Sequence, residues 1–123
     1  MTHTENFIKN WNNSIIEDMC GVCSPSYKAY HKALMTEIGK IASDINGNLV
    51  KRNCGHYFSL CFIKHNGKYV YISYEPLMRT RVCLTSGASF LIRSAKDEND
   101  YTGGSNNYCS LSEISNYVEE LTK

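Results

Sequence analysis

The sequence predicts an α+β fold: two N-terminal helices, an antiparallel sheet of about five strands built from hairpins, and a C-terminal helix. Three observations carry this. Apolar residues recur at spacings of three and four up to residue 45, the period of an amphipathic helix. From Asn48 onward the period falls to two and the residues turn aromatic or β-branched, the pattern of strands. Ser110-Leu111-Ser112-Glu113 then has the form of a capping box ahead of another apolar periodicity.

The first helix is expected from about Glu5 to about Asp18, capped by Thr4, with Phe7, Trp11, Ile15 and Met19 as its stripe. Cys20-Gly21-Val22-Cys23-Ser24-Pro25 breaks it, with Gly21 as a stop. Ser24 caps the second helix and Pro25 suits its first position, where a missing N–H costs nothing. That helix runs to about Ile45 through Tyr27, Tyr30, Leu34, Ile38, Ile41 and Ile45, and Asn46-Gly47 ends it.

Leu49-Val50-Lys51 is expected as a short strand, with Asn53-Cys54-Gly55 as a turn. Residues Tyr57 to Lys64 and Lys68 to Tyr74 follow as two strands joined by His65-Asn66-Gly67-Lys68. Asn-Gly tolerates the two positive φ values of a type I′ turn. Pairing across it sets Ile63 against Val70 and Cys61 against Ile72 on one face, with Phe62 against Tyr71 and Leu60 against Ser73 on the other. Both faces are partly apolar, so one is expected under the helices and the other as a ligand or subunit surface. A second hairpin is expected from Met78–Thr85 and Ala88–Ser94 around Ser86-Gly87. The last helix runs from Leu111 to about Leu121 with Ile114, Tyr117, Val118 and Leu121 on one side.

The 123 residues are read as a single domain, 1–123, large enough for a core without metal or disulfide staples. Thirteen Lys and Arg against twelve Asp and Glu argue against wholesale duplex binding, which needs a basic face, and leave room for a local basic patch. No apolar run is long enough to span a membrane, and the N-terminal residues lack a secretory pattern, so a cytoplasmic location is expected. The six cysteines are then expected as thiols, Cys61 and Cys83 as small core hydrophobes.

The stretch from Arg93 to Tyr108 concentrates the polar chemistry. Gly103-Gly104 can bring backbone N–H groups close to an anion. Arg93 and Lys96 supply charge, Asn106 and Asn107 can read polar edges, and Tyr101 or Tyr108 can stack on a base. The other reading is a structured turn in which Asp97, Asp100 and the Asn residues satisfy their own backbone. Arg79 and Arg81 are expected to alternate onto one sheet face, beside Tyr69 and Tyr71 and near Arg93, either as a phosphate-binding surface or as ordinary solvated cations.

Other constellations are weaker. Cys20 and Cys23 with Cys54 and His56 could supply four zinc ligands, but no second C-x-x-C exists and free thiols at a helix junction are the simpler reading. Asp97, Glu98 and Asp100 match no calcium loop. His3, His31 and His65 fall in no motif that pairs a nucleophile with a base. No catalytic residue, metal or cofactor is therefore expected.

Lys68-Tyr-Val-Tyr-Ile-Ser73, Leu91-Ile-Arg-Ser-Ala-Lys-Asp97 and Asp100-Tyr-Thr-Gly-Gly-Ser-Asn-Asn107 together resemble small proteins carried by phages and mobile elements of gut Firmicutes. The likeness spans roughly residues 55 to 110 and implies a counter-defence factor. One such kind is similar to sponges that bind nucleotide immune signals without cleaving them, often at sites between subunits. The other is similar to anti-CRISPR inhibitors that bind a host nuclease directly. The resemblance and the loop chemistry together lead to an expected non-enzymatic protein that sequesters a small phosphorylated nucleotide. Arg79, Arg81, Arg93, Lys96, Tyr101, Gly103, Gly104, Asn106, Asn107 and Tyr108 would bind the ligand, in a homo-oligomer. The alternative is a protein inhibitor of a host defence nuclease.

Overall fold

The computed structural model describes residues 2–16, 24–55, 58–75 and 81–123. Helix α1 spans His3–Trp11 and α2 spans Pro25–Asp44. Strands β1 (Asn48–Cys54), β2 (Ser59–His65), β3 (Lys68–Tyr74), β4 (Phe90–Ala95) and β5 (Asn107–Cys109) follow. A 3-10 turn, Leu111–Glu113, leads into α3, Ile114–Leu121. The strands form one antiparallel sheet in sequence order, β1-β2-β3-β4-β5. The fold is α+β, as the pattern predicts.

The second helix follows its stripe closely. Ser24 accepts the Tyr27 N–H, Pro25 sits in the first turn, and Tyr27, Tyr30, Leu34, Ile38 and Ile41 are buried. The turn after β2 has Asn66 at φ 54° and Gly67 at φ 73°, both positive as a type I′ turn requires. The hairpin register pairs Ile63 with Val70, Cys61 with Ile72, Phe62 with Tyr71 and Leu60 with Ser73. Cys61, Ile63, Val70, Ile72, Tyr74, Phe90 and Ile92 join the helices in the main core. Burial pushes the Cys61 and Cys109 thiols up to about 12, so both behave as apolar packing groups. At the C-terminal side, Glu113 accepts hydrogen bonds from the Ser110 N–H and hydroxyl, both at 2.9 Å, the capping arrangement anticipated there.

Three expectations are corrected. The first helix is capped by Thr2, which accepts the Glu5 N–H, and it ends at Trp11. Asn13 then takes φ 69°, a left-handed conformation that Asn tolerates, and Ile15 pairs with Arg81 at 67% exposure. Ile15 therefore leaves the stripe; Met19, Gly21 and the Cys20 and Cys23 pair lie outside the described residues. The first strand is longer than expected and carries a register shift between Leu49 and Lys51. The strand expected over Met78–Thr85 is not one in its described part. Val82 and Leu84 are buried, yet their backbones bond to α1's exit and to Leu111: Val82 N–H to the Ser14 carbonyl, Leu84 N–H to Asn12 Oδ1, and Leu111 N–H to the Leu84 carbonyl. The fifth strand is Asn107–Cys109 instead.

A polar cluster around the buried Glu37 anchors α1 to α2. Glu37 is 3% exposed; its Oε2 accepts from Thr4 Oγ1 at 2.7 Å and pairs with His3 Nδ1 at 2.6 Å. The other ring nitrogen of His3 pairs with Asp44. The Asp44 hydrogen bond and the Glu37 contact raise the His3 pKa above 6.5, against the opposing effect of desolvation. A raised folded pKa adds stability that is complete below 6.5 and is lost as pH rises through the folded value. The stability gap between the wild type and His3→Gln is therefore expected to be wider at pH 6 than at pH 9, in urea titrations at both. An equal gap at the two pH values would contradict an ionised His3 bridge.

Candidate functional site

Helices cover one sheet face, so the other is where the remaining chemistry collects. The antiparallel registers align Lys51, Phe62, Tyr71 and Arg93 as one row across β1 to β4. A neighbouring row is Asn53, Leu60, Ser73, Leu91 and Tyr108. Lys51 belongs to this face because of the shift after Leu49. Without it, residues two apart would share a side, and Lys51 would point at the helices with Leu49.

The segment 96–106 forms a strap over the first row. Tyr101 stands edge-on to Phe62 and Tyr71, with ring centroids 5.4 Å and 6.3 Å away. Lys51 Nζ lies 5.2 Å from the Tyr101 ring centroid and donates to Asn99 Oδ1 at 2.7 Å. On the other side Arg93 stacks on Tyr71, 4.3 Å from its centroid, and donates to the Tyr101 carbonyl. Two cations thus flank Tyr101, which keeps 41% of its surface exposed. Phe62 beneath it is 0% exposed. The second apolar face, expected as a ligand or subunit surface, is in part covered within the chain: Leu60, Phe62 and Tyr71 form a small buried cluster with Phe58, Leu91 and Ala95 against them.

The strap satisfies its own backbone. The Asp100 carboxylate accepts the N–H groups of Lys96 (2.9 Å), Thr102 (3.2 Å) and Gly103 (2.8 Å), and Asp97 accepts that of Asn99 (2.8 Å). The backbone hydrogen bonds from Lys96 and Thr102 hold Asp100 below the usual carboxylate range. A Cβ on Gly103 would come within 2.2 Å of Asp100 Oδ2, so the glycine makes room for this carboxylate. Gly104 has φ 76° and backs onto Ser94. Gly103, with the N–H groups of Lys96 and Thr102, therefore cradles an anion that belongs to the chain, while Gly104 packs on Ser94. A cleft of about 200 Å³ beside it, lined by Ser94, Lys96, Gly103 and Gly104, also faces Asp100, whose charge opposes a second anion there.

The remaining expected residues separate. Arg81 is exposed, off the sheet, and donates to the Asn13 carbonyl, so it is not beside Tyr69, Tyr71 and Arg93; the described residues of its expected strand lie outside the sheet. Arg79 lies outside the described residues. Tyr108 faces the same side as Leu91 and is 53% exposed. Asn106 is exposed, and Asn107 pairs with Ile92 and donates to the Ser105 carbonyl. Lys96 is exposed at the start of the strap. Lys51 was not anticipated as a site residue, because its place depends on an irregularity of β1 that no residue type announces.

A second group, between α2 and β2, joins His31 and Ser59. His31 Nδ1 and the Tyr27 hydroxyl each lie 2.8 Å from Ser59 Oγ. Burial, and then nearby Arg52, lower the His31 pKa, so the ring is held neutral. A Ser–His contact invites a catalytic reading, but Ser59 and Tyr27 are both 0% exposed, and the group acts as a polar tie within the core. Ser59→Ala would leave the Tyr27 hydroxyl without this partner, at an expected cost of about 1–3 kcal/mol in urea unfolding. A loss under about 0.5 kcal/mol, the range of ordinary surface changes, would contradict the tie.

Among the described residues no group of three or more His, Cys, Asp and Glu side chains could hold a metal ion. Of the four candidate zinc ligands, Cys20, Cys23 and His56 lie outside those residues. No described helix is long and apolar enough to cross a membrane. A groove of about 430 Å³ between α1 and α2 is lined by Phe7, Ala29 and Ala33 together with Lys32, Thr36, Glu37 and Lys40, and its Glu37 is already committed to His3 and Thr4. No protein-family model, curated protein or solved structure matches the chain.

Proposed function

We propose that the chain binds and sequesters a small phosphorylated nucleotide signal without converting it, as a phage-type counter-defence protein working in the host cytoplasm. The observation that carries this reading is the placement of Lys51 and Arg93 on either side of the half-exposed Tyr101. An aromatic ring can stack on a base at about 1–3 kcal/mol, and cations beside it can neutralise phosphate. Lys96 and Tyr108 extend the same surface, whereas Gly103 and Gly104 shape the strap. The three segments that carry the resemblance support it further: they are β3, β4 with the strap's start, and the strap itself, which are neighbours.

Thermal denaturation against a panel of mono-, di- and cyclic nucleotides tests the proposal. Ligand at 100 times its dissociation constant adds about 2.7 kcal/mol to the stability of the folded state. Lys51→Gln and Arg93→Gln should each abolish most of that shift. No shift with any member of the panel would overturn the proposal.

A second reading, direct inhibition of a host defence nuclease, is favoured by Tyr101 and Tyr108 standing exposed on one side. Exposed tyrosines are frequent anchors of protein interfaces. A stoichiometric protein partner that is lost with Tyr108→Ala, with no response to nucleotides, would select it.

A further inference from the structure

The sheet carries its cation–aromatic chemistry beyond Tyr101. Lys64 and Tyr69 are cross-strand partners on β2 and β3, two residues along from Phe62 and Tyr71 and therefore on the same face. Lys64 Nζ lies 5.6 Å from the Tyr69 ring centroid. With Lys51 on Tyr101 and Arg93 on Tyr71, three such pairs stand on one sheet face. The backbones of Lys51 and Arg93 stand three strands apart, about 14 Å by sheet spacing, though both side chains reach Tyr101, and the Lys64–Tyr69 row is displaced about 7 Å along the strands. Three cations spread over this area suit more than one phosphate. Lys64 is exposed and Tyr69 half-buried, so this third pair is open to solvent.

We infer that the ligand of this face is a phosphodiester-linked oligonucleotide of two or more nucleotides, one base on Tyr101 and the chain continuing over Tyr69 with a phosphate at Lys64. This rests on the nucleotide reading above and narrows it from a single nucleotide to a linked one. The surface has the make-up of a single-strand site, in which cations follow the backbone and aromatic rings receive successive bases. Its sparse charge suits a short segment. The strap leaves the sheet after Ala95, the partner of Tyr69, and carries Asp97, Glu98 and Asp100, whose negative charge limits the run of favourable potential.

The test is fluorescence anisotropy with labelled oligothymidylate and oligouridylate of one to six nucleotides and a labelled cyclic dinucleotide, each across a salt series. Single-stranded ligands lose affinity with a log–log salt slope of about −0.7 per phosphate contact. The expected result is a slope near −0.7 for the mononucleotide, about −2 at three to four nucleotides, and roughly tenfold tighter binding per added stacked base up to that length. Lys64→Gln should flatten the longer ligand's slope by about 0.7, and Lys40→Gln on α2 should not. A cyclic dinucleotide outbinding every linear one identifies a closed ligand; the reverse identifies a strand. Equal affinity and equal shallow slope at every length would overturn the inference while leaving the single-nucleotide reading intact. Absence of binding at every length would overturn both.

Discussion

Phe62→Ala is expected to lower stability by about 3–5 kcal/mol, the usual cost of truncating a buried phenylalanine. Phe62 is fully buried in the smaller cluster, edge-on to Tyr71 at 5.3 Å and to Tyr101 at 5.4 Å. The deletion removes the floor on which Tyr101 rests, so the effect should spread from the sheet into the strap. Two readouts separate these parts. The urea midpoint reports the loss of packing, and amide exchange at Thr102 and Gly103 reports whether the strap has come loose. Stability that falls while those two amides stay protected would show that the strap is held by Asp100 alone.

Gly104→Ala should cost about 1–2 kcal/mol for placing a Cβ in a left-handed backbone conformation, and about 1–3 kcal/mol more for crowding. The new Cβ would lie 2.5 Å from the Ser94 carbonyl oxygen, and Ser94 pairs with Val70 inside the sheet, so neither can yield cheaply. Gly67 supplies the comparison. It has φ 73° with nothing within 4 Å of an added Cβ, so Gly67→Ala should show the backbone cost alone. Denaturant titrations of the two variants should differ by the crowding contribution. Equal losses would mean that the strap does not press on β4 at Gly104.

Much of the architecture was legible because local signals agreed with the tertiary outcome. In α2 the stripe, the Ser24 cap and the Pro25 position all point to the same helix. The Asn66-Gly67 turn sets the β2–β3 register, and that register decides which residues meet the helices. The failures have physical causes. The alternation of Arg81, Val82, Cys83 and Leu84 is a true burial alternation, but it comes from an irregular segment bonded to α1's exit, where period two has no strand to mean. The first helix stops at Asn12, which turns extended, and Asn13, whose left-handed conformation outweighed the continuing apolar spacing.

The site divides the same way. The polar excess between Arg93 and Tyr108 marked the strap, and Arg93 and Tyr101 do meet. The Gly-Gly pair pointed to an anion without revealing that Asp100 supplies it. Lys51 is forty-eight positions from Asn99, its hydrogen-bond partner, and only the register shift in β1 turns it toward the strap. Contacts that depend on an irregular strand and a folded-back loop leave no trace in residue spacing.

The proposed binding of a nucleotide through Lys51, Tyr101 and Arg93 on the strap face is checked by an amide-resolved NMR titration of the protein with the nucleotide panel. The expected result is saturable shifts at Lys51, Arg93, Lys96, Tyr101 and Tyr108, with the amides of α2 unmoved. Shifts confined to α1 and α2, or none at any ligand concentration, would contradict it.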